Sequence, residues 1–128
     1  MPVEPLDTPH APPAVGPYSP AVRAGDWITC SGQVGLDPQS GELVDGGLEA
    51  QTRQVLANIA GILDDVGASV DDVAKTTVFL TDMADFPAMN EVYGTYFTAP
   101  PPARTTVQVS GLPKGARVEI DCIAMSGD

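Results

Sequence analysis

The sequence predicts an α+β fold in which one mixed sheet of about six strands carries two helices on one face. Three observations predict it. Strand-like stretches open the chain, the hydrophobic period changes to that of a helix over residues 48–66 and again over 85–97, and strand-like alternation returns between and after them. Only two stretches are helical, and two helices cover a single face of a sheet. The strands nevertheless carry apolar residues on both faces, Val78 and Leu80 against Phe79, and Val118 and Ile120 against Ile123 and Met125. The uncovered face calls for another subunit, so a closed homo-oligomer is expected.

Each element has a local cause. After a Pro-rich opening at residues 1–13, residues 18–23 and 27–34 read as two strands with Gly25-Asp26 between them at hairpin spacing. Asp37-Pro38 and Ser40-Gly41 are turn signals, which leaves room for at most one short strand at 42–44. Val55, Leu56, Ile59, Ile62, Leu63 and Val66 then recur on one helical face while Gln54, Asn58 and Asp65 take the other. Gly67 follows the last periodic residue, where a left-handed C-terminal cap needs a glycine. Residues 73–80 (VAKTTVFL) are dense in β-branched and aromatic types, which marks a central strand, and Thr81-Asp82 offer caps for the next helix. That helix, 85–97, sets Phe86, Met89, Tyr93, Tyr96 and Phe97 on one stripe, with Pro87 in the first turn, where its missing N–H does no harm. Three prolines at 100–102 end it, and residues 103–110 and 116–125 alternate as two further strands joined by a Gly-Leu-Pro-Lys-Gly turn.

Bulk composition narrows the function. At 128 residues the chain is expected to be one domain spanning 1–128. With 43% hydrophobic and 18% charged residues it has the composition of a globular protein. No apolar run approaches the roughly 20 residues of a membrane helix, and the opening lacks the basic start and apolar stretch of a signal peptide, so a cytoplasmic location away from membranes is expected. Cys30 and Cys122 fit no zinc spacing and read as reduced, buried thiols. A net charge of −11, from 17 acidic and 6 basic residues, repels a phosphate backbone and argues against nucleic acid as a partner. The same field disfavours an anionic ligand at long range, so a carboxylate substrate needs a local cation to hold it.

Seven short stretches, taken in order, resemble one known family. They are Gly16-Pro17-Tyr18-Ser19, Ser31-Gly32-Gln33, residues 51–58 of the first helix, residues 75–82, Asn90-x-x-Tyr93, Pro102-Ala103-Arg104-Thr105, and Leu112-Pro113-Lys114-Gly115 followed by Val118-Glu119-Ile120. The chain is similar over residues 14–124 to the RidA (reactive-intermediate deaminase, YjgF-type) family. This resemblance implies the chorismate-mutase-like α+β fold, a homotrimer with its sheets packed inward, and three clefts at the subunit interfaces. It also implies hydrolytic deamination of 2-imino acids such as 2-iminobutanoate and 2-iminopropanoate to the 2-keto acid and ammonia, with no metal or organic cofactor.

The residues suit that chemistry. An imino acid presents a carboxylate beside a C=N carbon, so its site needs a planar cation and an oriented water. Arg104 is the candidate cation, because a guanidinium grips a carboxylate with two parallel hydrogen bonds that lysine cannot copy. Strand alternation puts it on one face with Thr106 and Gln108, away from Val107 and Val109. Glu119, opposite Val118 and Ile120, matches the family glutamate that holds water and takes the water-positioning or general-base role. By the same resemblance Tyr18 and Asn90 shape the pocket, and Ser31 with Gly32 meets the substrate's nitrogen end, where a glycine permits close approach. Thr106 stands where many members have cysteine, which removes a thiol nucleophile from the scheme. His10, the only histidine, reads as an exposed loop residue. The rival readings are a deaminase of a larger enamine such as 2-aminomuconate, a non-catalytic trimer that binds carboxylate metabolites or a partner protein, and a ribonuclease or translation inhibitor, which the charge opposes.

Overall fold

The computed structural model describes residues 3–98 and 100–125. In chain order they form β1 (Glu4–Pro5), β2 (Ala21–Ala24), β3 (Trp27–Gln33), α1 (Gly47–Asp65), β4 (Val73–Leu80), α2 (Phe86–Tyr96), β5 (Ala103–Gln108) and β6 (Val118–Met125). The sheet runs in the order β1-β2-β3-β6-β4-β5. Only β4 and β5, the strands that α2 connects, are parallel; the other neighbours are antiparallel, so the sheet is mixed as expected.

Both helices lie on one face. Val55, Leu56, Ile59, Ile62 and Leu63 of α1 and Met89 of α2 are essentially inaccessible and meet Ile28, Val78, Leu80, Val118 and Ile120 from the strands. On the opposite face Trp27, Val107, Ile123 and Met125 stay 38–46% exposed, an apolar surface that no element among the described residues covers. The hairpin turns as read, with Ala24 opposite Trp27 and Gly25 taking the positive φ (62°) that closes a two-residue turn. Gly67 (φ 82°) caps α1, where the Ala68 N–H donates to Leu63 and the Gly67 N–H to Asp64.

Several expectations need correction. The opening segment contributes a strand, because the Pro5 side of β1 pairs with Val22, and an edge position tolerates proline's missing donor. Residues 42–44 form no strand, only a single bridge from Leu43 to Leu36. Tyr18 lies before β2, in a turn where its own N–H donates to Gly16. Asp82 caps a short 3-10 turn at Met83–Asp85 that leads into α2, accepting from the Ala84 N–H at 2.9 Å. The polar face of α1 is not all solvated: Asn58 is buried, takes a bond from Gln54, and gives one to the Leu36 carbonyl (2.9 Å), so it anchors the loop beneath it.

His10 is exposed but not idle. Its ring Nδ1 pairs with the Asp65 carboxylate, and its backbone N–H donates to the other carboxylate oxygen at 2.9 Å, although the Asp65 side chain is only 4% exposed. The hydrogen bond and the charge of Asp65 raise the His10 pKa. A group held protonated by folding contributes stability below its ordinary pKa and loses it as pH rises through the raised value. The thermal midpoint of the wild type is therefore expected to fall toward that of His10→Gln as the pH goes from about 6 to about 9; a difference between the two proteins that does not change with pH would show that the pair contributes nothing. Among the described residues no helix is long and apolar enough to cross a membrane.

Candidate active site in two halves

One group of residues gathers where β3 meets β6. Between Cys30 and Gln33 the register with β6 shifts, so Ser31 and Gly32 form a bulge opposite one residue of the partner strand. The Ser31 N–H donates to the Pro20 carbonyl (2.8 Å) and its Oγ to that of Ser19 (2.6 Å), which ties the Tyr18–Ser19 turn to the bulge. Glu119 of β6 lies across Gly32 so closely that a Cβ added there would sit 1.9 Å from Oε2. Glycine is therefore required by the glutamate, whose carboxylate fills the space that a side chain at 32 would take. Burial, and then the negative charge of Asp121, raises the Glu119 pKa. Tyr18, Ser31, Gly32 and Glu119 line a cavity of about 280 Å³, closed by Pro12, Val15 and other apolar groups. Tyr18 is 44% exposed, and its hydroxyl accepts a bond from the Val15 N–H (3.2 Å).

The remaining residues gather at the other edge of the sheet. Arg104 of β5 stands level with Thr76 of β4, which puts it on the helix-covered side, and its Cζ lies 4.8 Å from the ring centre of Tyr93 and 5.4 Å from that of Phe86. Asn90 follows Phe86 by four residues and precedes Tyr93 by three, so the three share one face of α2. The Asn90 Oδ1 and the Thr106 Oγ1 are buried without a hydrogen-bond partner among the described residues. Arg104 has no salt bridge there either, in a chain with 17 acidic residues. By contrast Arg117 engages both oxygens of Asp85 at 2.8 and 2.9 Å.

The two halves do not meet within one chain. Residues paired across neighbouring strands point to the same side. Glu119 is level with Phe79, on the open side, while Arg104 is level with the buried Thr76, on the helix side, and β4 runs between their strands. The structure thus brings Tyr18, Ser31, Gly32 and Glu119 together, and separately Asn90, Arg104 and Thr106. Tyr93 and Phe86 do belong to the core stripe that the helical spacing predicts, and the same rings also seat Arg104, a second use that only the Asn90-x-x-Tyr93 spacing hints at in the sequence. Cys30 and Cys122 are free, buried and directly opposed across β3 and β6, with the Cys122 thiol pushed up by its bond with Cys30 and by burial.

Comparison with known proteins agrees with this architecture. The chain is 51% identical over 122 residues to the mouse 2-iminobutanoate/2-iminopropanoate deaminase, covering 95% of this chain and 90% of that one. It is 50% identical over 121 residues to a RutC family protein of Pyrococcus horikoshii, covering 94% and 96%. The crystal structure of RidA from an Antarctic Psychrobacter superposes with a TM-score of 0.92 at 46% identity, over 95% of this chain and 98% of that one. The family model described as Endoribonuclease L-PSP matches residues 8–126. The family model, the relatives and the solved structure thus point the same way, and the chain belongs to this family, the RidA or YjgF-type proteins.

Proposed function

We propose that this protein hydrolyses small 2-imino acids, 2-iminobutanoate and 2-iminopropanoate among them, to 2-keto acids and ammonia, as a homotrimer whose three sites each join the Arg104 half of one subunit to the Glu119 half of the next. The observation that carries the reading is Arg104, a half-buried guanidinium held by aromatic rings and left without a carboxylate among the described residues. A substrate carboxylate supplies the missing anion. The exposed apolar surface on the open sheet face supports the assembly, since subunits packed there bury it.

In the reaction, Arg104 holds the carboxylate and a water beside Glu119 adds to the C=N carbon. As the water oxygen bonds to the C=N carbon, the Glu119 carboxylate accepts one of its protons and passes that proton to the imine nitrogen, which forms a carbinolamine. Glu119 then takes the carbinolamine hydroxyl proton and delivers it to the amine, so that the C–N bond breaks, ammonia leaves and the carbonyl of the keto acid remains. Because burial raises the Glu119 pKa toward neutrality, the group is a stronger base than an exposed glutamate. The chemistry is undemanding, and positioning with preset electrostatics supplies the acceleration.

An RNA substrate meets a chain of net charge −11. The test couples the purified protein to a threonine or serine dehydratase in the presence of semicarbazide, which traps the free imine. Suppression of semicarbazone formation supports the proposal; a folded trimer that leaves the signal unchanged refutes it.

A further inference from the structure

Arg104 carries a long, flexible side chain on an edge strand, and something must fix it before it can serve as a two-pronged clamp. A carboxylate partner would do so but would compete with the ligand for the same donors. The structure uses rings instead. The guanidinium carbon lies over Tyr93 at 4.8 Å and Phe86 at 5.4 Å, both within the roughly 6 Å reach of a cation–π contact. A guanidinium that lies on rings spends its face and keeps its charge and its N–H edge. Tyr93 is itself locked: its hydroxyl is 2.7 Å from that of Thr76, a fully buried residue of central strand β4, and its ring packs against Phe97 at 4.7 Å between centroids. A rigid line therefore runs from the sheet core through Thr76 and Tyr93 to the guanidinium.

We propose that Tyr93, supported by Phe86, is the positioning residue of the carboxylate clamp, orienting Arg104 through its ring face without neutralising it. The inference rests on the reading of Arg104 as that clamp. It makes the ring, not the hydroxyl, the functional part, with the Thr76 bond setting the angle of the ring. Tyr93 acts through Arg104 on substrate binding and leaves the water addition at Glu119 alone.

The test uses the full-length trimer, with pyruvate as a carboxylate probe by calorimetry and imine turnover as the kinetic readout. Tyr93→Leu is expected to weaken pyruvate binding and raise KM by about tenfold, with kcat within about twofold. Tyr93→Phe, which keeps the ring, should restore both to within about threefold. Unchanged binding and KM in a folded Tyr93→Leu trimer would overturn the inference. So would an equal loss of kcat in both variants with a lowered melting temperature, which marks a merely structural role. Should Tyr93→Leu fail to assemble, Phe86→Leu at the half-buried start of α2 carries the test, with about threefold weaker binding expected and unchanged binding overturning the inference. Arg104→Ala separates the two claims: if it binds pyruvate like the wild type, the clamp itself is wrong, whereas lost binding there with normal binding in Tyr93→Leu rejects only the role of the ring.

Discussion

Arg104→Ala is expected to lower kcat/KM for 2-iminobutanoate by about 100-fold to 1,000-fold, the effect of removing one partner of a desolvated, charge-assisted pair worth roughly 3–4 kcal/mol. The fold should survive, because Arg104 holds no salt bridge among the described residues and packs at the edge of the sheet. Arg104→Lys keeps the charge but not the planar fork and should recover little of the loss. Semicarbazone trapping measures the first effect and thermal melting the second. A folded Arg104→Ala protein with wild-type turnover would remove the guanidinium from the reaction.

Glu119→Gln is expected to cost about 100-fold in kcat, the scale of a lost general base. Gly32→Ala should match it without touching the glutamate, since its Cβ would lie 1.9 Å from Oε2 and 2.8 Å from Cδ and must push the carboxylate off the bulge. The two changes act on one group, so the double variant should be no worse than the worse single one. The raised Glu119 pKa sets the sign of the pH dependence. Activity that needs the ionised carboxylate falls as pH drops through that value, so the acid limb of the wild-type profile should lie above the ordinary glutamate range and vanish in Glu119→Gln. The placement of the halves is tested by mixing. In an equal mixture of Arg104→Ala and Glu119→Gln chains reassembled at random, homotrimers included, sites built across subunits regain an intact pair in about one case in four. Activity near a quarter of the wild type supports shared sites, and none at all argues for sites within single chains.

Much of this was written in the order of residues. The change of hydrophobic period between strands and helices, Gly67 after the last apolar position of α1, Pro87 in the first turn of α2 and the turn at Gly25-Asp26 are local signals, set by the chain's own sterics and by apolar spacing. They needed no tertiary information, and they placed seven of the eight elements to within three residues. The same alternation, apolar on both faces of β4 and β6, already implied a surface that the two helices leave bare. Arg104 and Glu119 were legible as candidates because their residue types match a carboxylate and a water, and because they stand in seven motifs in order.

Other features depended on contacts between segments distant in sequence, which no local pattern encodes. The short strand at Glu4–Pro5 exists because β2 offers it an edge. Asn58 is buried because the loop carrying Leu36 comes down over α1, and His10 is engaged because the Pro-rich segment crosses that helix at Asp65. The insertion of β6 between β3 and β4 decides the rest. It sets Glu119 against the glycine bulge of β3 on one side of the sheet, while the parallel register of β4 and β5 turns Arg104 to the other side, onto the rings of α2. Sequence alone named the candidate side chains for the chemistry. The tertiary structure alone decided that they face opposite ways, because the face a strand residue occupies follows from its register with neighbouring strands, and register is settled only when the whole sheet is assembled.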